Sequence, residues 1–232
     1  MGSEPTSGHA ERIDLVIFDC DGVLVDSERL YVRYDTAVLN QLGWEIAQDE
    51  VVERFMGRTN SYMLSEIERH LGRTISDEWR GPIADGRRDL FTRELQPVPG
   101  IIGALDSITI PSCVASSSAP DMLDLVLGVT GLAERFRDRV FSGVEVERGK
   151  PAPDLFLHAA DRMGVDPRRC IVVEDSRAGV EAARAANMRC LGFHGGITPL
   201  NHLEGANTVL FSSMDDLPAL IADAGPSGKT FT

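Results

Sequence analysis

The sequence predicts a doubly wound parallel α/β sheet interrupted early by a helical insertion. Three observations support this: short apolar runs recur along the chain, helix-like stretches separate them, and one early interval has no such run. The runs are Leu15-Val16-Ile17-Phe18, Cys113-Val114-Ala115, Val140-Phe141, Cys170-Ile171-Val172-Val173, Cys190-Leu191-Gly192-Phe193 and Val209-Leu210-Phe211. Continuous apolar character over so few residues suits strands buried on both faces, the usual state of a parallel sheet. Between runs, Asp154 to Met163 places Phe156, Ala159, Ala160 and Met163 on one helical face.

The interval from Glu28 to about Glu94 breaks the rhythm. Leu30, Tyr31, Tyr34, Ala37, Val38 and Leu42 form a helical stripe closed by Gly43. Met63, Leu64, Ile67 and Leu71 form a second, with Asn60 placed as a cap and Gly72 as a stop. A third carries Trp79, Ile83, Leu90 and Leu95 before Pro97 and Pro99. Asp26-Ser27 reads as the outgoing crossing and Gln96-Pro97-Val98-Pro99-Gly100 as the return. The expected division is therefore a core of residues 1–27 and 95–232 and an all-helical domain of residues 28–94.

With 232 residues, 43% of them hydrophobic and 25% charged, the chain can build one sizeable core. Its formal net charge of -13 argues against nucleic-acid and anionic-membrane partners, which are held by clustered Lys and Arg. No stretch reaches the apolar length of a membrane helix and Met1 to Arg12 has no signal-peptide core, so a cytoplasmic protein is expected. Cys20, Cys113, Cys170 and Cys190 lie in or beside apolar runs and form no C-x-x-C pair; they are expected to be reduced and buried. The five histidines show no ligand spacing.

In a doubly wound sheet, ligands bind beyond the carboxyl ends of the strands. The first run ends in Asp19 and Asp21, the second in Ser116-Ser117-Ser118, a later loop carries Lys150, and another run ends in Glu174-Asp175. Carboxylates, hydroxyls and one cation make a site for a hard metal plus a phosphoryl group, and Mg²⁺ prefers such oxygen ligands. Lys150 and the Ser116 hydroxyl would hold phosphoryl oxygens, and Pro120 marks a helix start whose amides add anion affinity. Two phosphate-loop look-alikes fail on spacing: Gly143 to Lys150 has one residue too many and is followed by Pro151, and Ser227-Gly228-Lys229-Thr230 lacks the first glycine.

These residues resemble the haloacid dehalogenase-like superfamily, specifically its phosphatases with a helical cap after strand one on a Rossmann-like core. Asp19-Cys20-Asp21-Gly22-Val23-Leu24-Val25-Asp26-Ser27-Glu28 resembles the first motif, Ser116 the second, Lys150 in Gly149-Lys150-Pro151 the third and Glu174-Asp175-Ser176 the fourth. The resemblance implies that Asp19 attacks phosphorus to form an aspartyl-phosphate while Asp21 gives and takes the proton. It also implies Mg²⁺ held by Asp19, the backbone carbonyl of Asp21 and Asp175, with Glu174 assisting. Gly22 would permit a sharp turn against the ligand, and Ser117 and Ser118 would line the substrate.

Phe55 to Asn60 resembles the cap's specificity loop, with Arg58 either reading a second anionic group or solvated. Related mutases carry a histidine where this chain has Tyr31, which favours hydrolysis. The stretch Phe141 to Pro151 resembles 6-phosphogluconate phosphatases. The leading expectation is a Mg²⁺-dependent phosphatase, monomeric or weakly dimeric, acting on a small sugar phosphate or sugar-acid phosphate. A β-phosphoglucomutase-type enzyme and a non-catalytic phosphometabolite-binding protein stand as alternatives.

Overall fold

The computed structural model describes residues 12–55 and 60–224. Its sheet contains β1 (Leu15–Phe18), β2 (Ser112–Ser116), β3 (Val140–Ser142), β4 (Cys170–Glu174), β5 (Arg189–Phe193) and β6 (Thr208–Phe211). All neighbours pair in parallel, in the order β3-β2-β1-β4-β5-β6. Each of the six apolar runs lies within one of these strands.

Alternation along β1 divides the core into two layers. Val16 and Phe18 pack with Ile101, Leu123 and Leu217 on one side of the sheet. Leu15 and Ile17 pack with Leu155, Phe156 and Val180 on the other. The helices that supply these residues, α5 (Ile101–Ser107), α6 (Pro120–Val129), α8 (Asp154–Arg162), α9 (Arg177–Ala185) and α10 (Leu217–Asp223), all follow the insertion, as does the short α7 (Ala133–Phe136). Phe18 and Phe136 meet edge-on at 6.2 Å, both fully buried, and burying a side chain of that size contributes about 1.5–3 kcal/mol.

Between β1 and α5 the chain forms α1 (Glu28–Leu42), α2 (Gln48–Phe55), α3 (Asn60–Leu71) and α4 (Asp77–Glu94). Gly43 and Gly72 adopt the left-handed conformation that ends α1 and α3, with φ of 97° and 63°. Asn60 is the first residue of α3. Sequence reading had no counterpart for α2. These helices bury a cluster of their own, including Val32, Leu39, Trp44, Val51, Phe55 and Ile67. The two crossings expected at Asp26-Ser27 and Gln96 to Gly100 lie side by side: the Asp26 N–H donates to the Gln96 carbonyl at 2.9 Å and the Val98 N–H to the Leu24 carbonyl at 3.0 Å.

The strand order turns at β1, since β2 and β3 lie to one side and β4, β5 and β6 to the other. Such a switch point opens a crevice at the carboxyl edge between the central strands. Asp19 follows β1 there, and Asp175 follows β4. Among the described residues, no helix is long and apolar enough to cross a membrane.

Candidate active site

Asp19 leaves β1 with its N–H bonded to the Val173 carbonyl of β4 at 2.9 Å, which fixes its backbone across the crevice. Its carboxylate accepts from Lys150 Nζ at 2.5 Å. The same ammonium donates to Glu174 Oε1 at 2.7 Å and to the Ala115 carbonyl at 3.0 Å, and sits 4.8 Å from the Phe156 ring centroid. Lys150 therefore spends its donors on the ends of β1, β2 and β4. Burial alone would lower its pKa, but the charges of Asp19 and Glu174 outweigh burial and raise it. Burial, reinforced by Glu174 and Asp21, pushes Asp19 up to about 7 against the pull of Lys150.

Glu174 is fully buried, and its acceptors are already in use. Oε2 receives the Asp175 N–H, the Ser176 N–H and the Ser176 hydroxyl, each at 2.9 Å. Gly179 makes room for it, because a Cβ there would stand 1.7 Å from Glu174 Oε1. Ser176 also caps α9, accepting from the Gly179 N–H at 3.1 Å, as its place before an alanine-rich helix predicts.

Asp175 behaves differently. It is 2% exposed, and its Oδ2 is buried with no hydrogen-bond partner. Burial, with Glu28 and Glu174 next in effect, raises its pKa well above the usual carboxylate range. An orphaned carboxylate oxygen of this kind calls for a cation. Asp19, Glu174 and Asp175 each offer an oxygen within 4.8 Å of the others, the donor set of a hard ion such as Mg²⁺. With Glu174 committed to Lys150 and to the Asp175 and Ser176 donors just before α9, the free ligand oxygens of that trio belong to Asp19 and Asp175. The Asp21 carboxylate is not part of this trio.

Asp21 is gripped by hydroxyls on both oxygens: Ser27 Oγ donates to Oδ1 at 2.6 Å and Ser118 Oγ to Oδ2 at 2.8 Å. Ser116 is buried at the end of β2, where its Oγ accepts the Ser118 N–H at 3.1 Å and shapes the serine loop. The Ser142 hydroxyl pins that loop from β3, donating to the Ser118 carbonyl at 2.7 Å. Ser117 lines the same cavity. Gly22 turns the chain after Asp21 with φ +76°. Cys20 is fully buried between the aspartates, and burial raises its thiol pKa well above its usual value, so it is a packing residue rather than a thiolate.

A cavity of about 600 Å³ opens over Asp19, Asp21, the three serines, Lys150 and Asp175, and its far wall comes from the helical insertion. That wall supplies residues that sequence reasoning missed as site residues. Glu28, 7% exposed, stands beside Asp175, and burial pushes its carboxyl up to about 7. Tyr31 packs edge-on against Phe91 at 4.8 Å, and Asp35 pairs with Arg87 at 2.6 Å. The tripeptide Asp26-Ser27-Glu28 offered the one signal for Glu28, as the tail of the first motif. Nothing local in the sequence marks Arg87, because only the α1–α4 packing brings it to the cleft. Arg58 lies outside the described residues.

The model of the haloacid dehalogenase-like hydrolases matches residues 13–187, which contain every strand end of the site. The chain belongs to this family. Among curated relatives, the 6-phosphogluconate phosphatase of Escherichia coli is 33% identical over 187 residues, covering 78% of this chain and 83% of that one. Hexitol phosphatase B of the same organism is 33% identical over 197 residues, with 78% and 83% covered. A conserved haloacid dehalogenase-like protein of Agrobacterium tumefaciens shares the architecture with a TM-score of 0.81 at 38% identity, covering 90% of this chain and 98% of that one.

Proposed function

We propose that the chain is a Mg²⁺-dependent phosphatase of small phosphorylated metabolites, with a sugar or sugar-acid leaving group, acting through an aspartyl-phosphate on Asp19. The observation that carries this reading is the pairing of Asp19, held by Lys150 at 2.5 Å, with Asp21, held by two serine hydroxyls, in the lining of one cavity. A mere binding site needs only one of these two acids.

In this reading the Asp19 carboxylate attacks phosphorus, the bond to the leaving oxygen breaks, and Asp21 protonates that oxygen. Asp21 then takes a proton from the water that cleaves the acyl phosphate. Serine hydroxyls suit both states of Asp21, since each donates to the carboxylate and can rotate to accept from the acid. Lys150 orients the nucleophile through Oδ1, and Ser116 to Ser118 line the side of the cavity where the phosphoryl oxygens would sit. Asp19, the Asp21 carbonyl and Asp175 would hold Mg²⁺, with Glu174 behind them. The ion, when bound, supplies charge to the phosphoryl oxygens.

Residues 28–94 serve in this account as a cap that closes over the cavity, supported by their separate hydrophobic cluster and the paired crossings at Asp26 and Gln96. Tyr31, where related mutases carry histidine, offers no imidazole to relay a proton to a bound sugar, so water completes the reaction. The test is a phosphate-release screen over sugar phosphates, sugar-acid phosphates, phosphoglycolate and nucleotides, with Mg²⁺ or with EDTA. Metal-dependent release is expected, and no release from any ester overturns the reading.

A further inference from the structure

The cap side of the cavity carries a charge pattern that the phosphoryl chemistry does not use. Arg87 of α4 reaches Asp35 of α1, with Nη2 donating to Oδ1 at 2.6 Å, and the two side chains are only 17% and 12% exposed. The guanidinium carbon lies 4.9 Å from the Tyr31 ring centroid and 5.9 Å from that of Tyr34, so two aromatic faces fix it in place. Arg87 Nε is buried with no hydrogen-bond partner. Arg87, Asp35 and Tyr31 all line the cavity that contains Asp19 and Lys150.

We propose that the Arg87–Asp35 pair selects a neutral, polyhydroxylated leaving group, a sugar or polyol rather than a sugar acid. This inference rests on the phosphatase reading and names the substrate class within it. Asp35 already balances the charge of Arg87, so the pair presents a donor and an acceptor side by side with no net charge. A hydroxyl both donates and accepts and matches such a pair, whereas a carboxylate can only accept and would face the like charge of Asp35.

Among the described residues, the rest of the cavity gives a carboxylate no better partner. Among the described residues lining it, the cations are Arg87 and Lys150, and Lys150 is engaged by Asp19 and Glu174. Val51, Phe55 and Met63 complete the cap wall and offer apolar surface to the C–H face of a sugar. Relatives named for a sugar acid and for a hexitol are both 33% identical to this chain, so percent identity does not choose between these leaving groups.

The experiment compares kcat/KM for sorbitol 6-phosphate and 6-phosphogluconate, whose carbon chains match and which differ at C1, with p-nitrophenyl phosphate as a reference that has no polyol. The wild type is expected to favour sorbitol 6-phosphate by at least about tenfold, the scale of one charged hydrogen bond lost or opposed. Asp35→Asn, which leaves Arg87 with net charge, is expected to move that ratio toward 6-phosphogluconate by about tenfold or more. Arg87→Met is expected to lower kcat/KM for sorbitol 6-phosphate at least about tenfold more than for p-nitrophenyl phosphate, and Arg87→Lys is expected to recover part of the difference.

A wild type that turns over p-nitrophenyl phosphate yet prefers 6-phosphogluconate overturns this inference alone, whether or not the variants fold. Folded variants that leave both ratios unmoved overturn it as well. No turnover of any ester by the wild type brings down the phosphatase reading, and this inference with it.

Discussion

Gly22 and Asp175 are in such close contact that a Cβ on the glycine would stand 1.8 Å from Asp175 Oδ2, the oxygen that has no hydrogen-bond partner. Gly22 also holds φ +76°, a backbone conformation that L side chains rarely adopt. The turn after the nucleophile and the last carboxylate of the site are therefore built against each other. Gly22→Ala is expected to displace Asp175, weaken Mg²⁺ activation and cut kcat/KM by about 10- to 100-fold, as loss of a metal-positioning contact does. A Mg²⁺ titration of phosphate release checks this; an unchanged activation constant would contradict it.

Lys150 neutralises two buried acids, and its side chain is 4% exposed beside a Glu174 side chain at 0%. Removing one partner of a buried ion pair leaves an uncompensated charge and costs about 3–5 kcal/mol. Lys150→Met is expected to lose that much stability in EDTA, measured by urea denaturation. Adding Glu174→Gln should recover part of the loss, because the two residues share one network. Strictly additive losses would show that the network does not exist.

The acid cluster makes metal-free stability depend on pH. A carboxyl with a higher pKa in the folded chain than in the unfolded one holds its proton more tightly when folded. Its contribution is full below the unfolded value and is lost as pH rises through the folded value. For Asp19 that window runs from 3.8 to about 7, and for Glu28 from 4.5 to about 7, with burial the main cause in both. Asp175 is shifted in the same direction. The Tm in EDTA is expected to fall between pH 5 and pH 7.5 by this mechanism. Mg²⁺, which competes with those protons, should raise Tm more at the upper end of the range. A Mg²⁺ effect that is larger at the acid end would contradict the assignment.

Much of this was legible in the sequence because it is local. The six strands announced themselves as apolar runs, and Asp19, Ser116 and Asp175 were found by looking just past three of them. Gly43 and Gly72 were read as the residues that end two helices and adopt the left-handed conformation, with φ of 97° and 63°. Pro120 opens α6 and Ser176 caps α9, both as their residue types predict. Helix α2 was missed because eight residues with two buried side chains, Val51 and Phe55, span too few turns to show a period. Arg87 and Asp35 were missed for another reason: they sit 52 residues apart and become one feature only when α1 packs against α4. The commitment of Glu174 to Lys150 was equally invisible, since spacing brings acids to a strand end but does not say which oxygen stays free.

The central claim is that Asp19 is the nucleophile, and steady-state phosphate release by Asp19→Asn at saturating Mg²⁺ tests it most directly. Asparagine keeps the shape and a hydrogen-bonding oxygen but cannot form the acyl phosphate. The expected result is a fall in kcat of about 10³-fold or more, the scale seen when a covalent nucleophile is removed. Activity within about tenfold of the wild type would contradict it, because no residue acting only through positioning or Mg²⁺ affinity could then be doing what is assigned to Asp19.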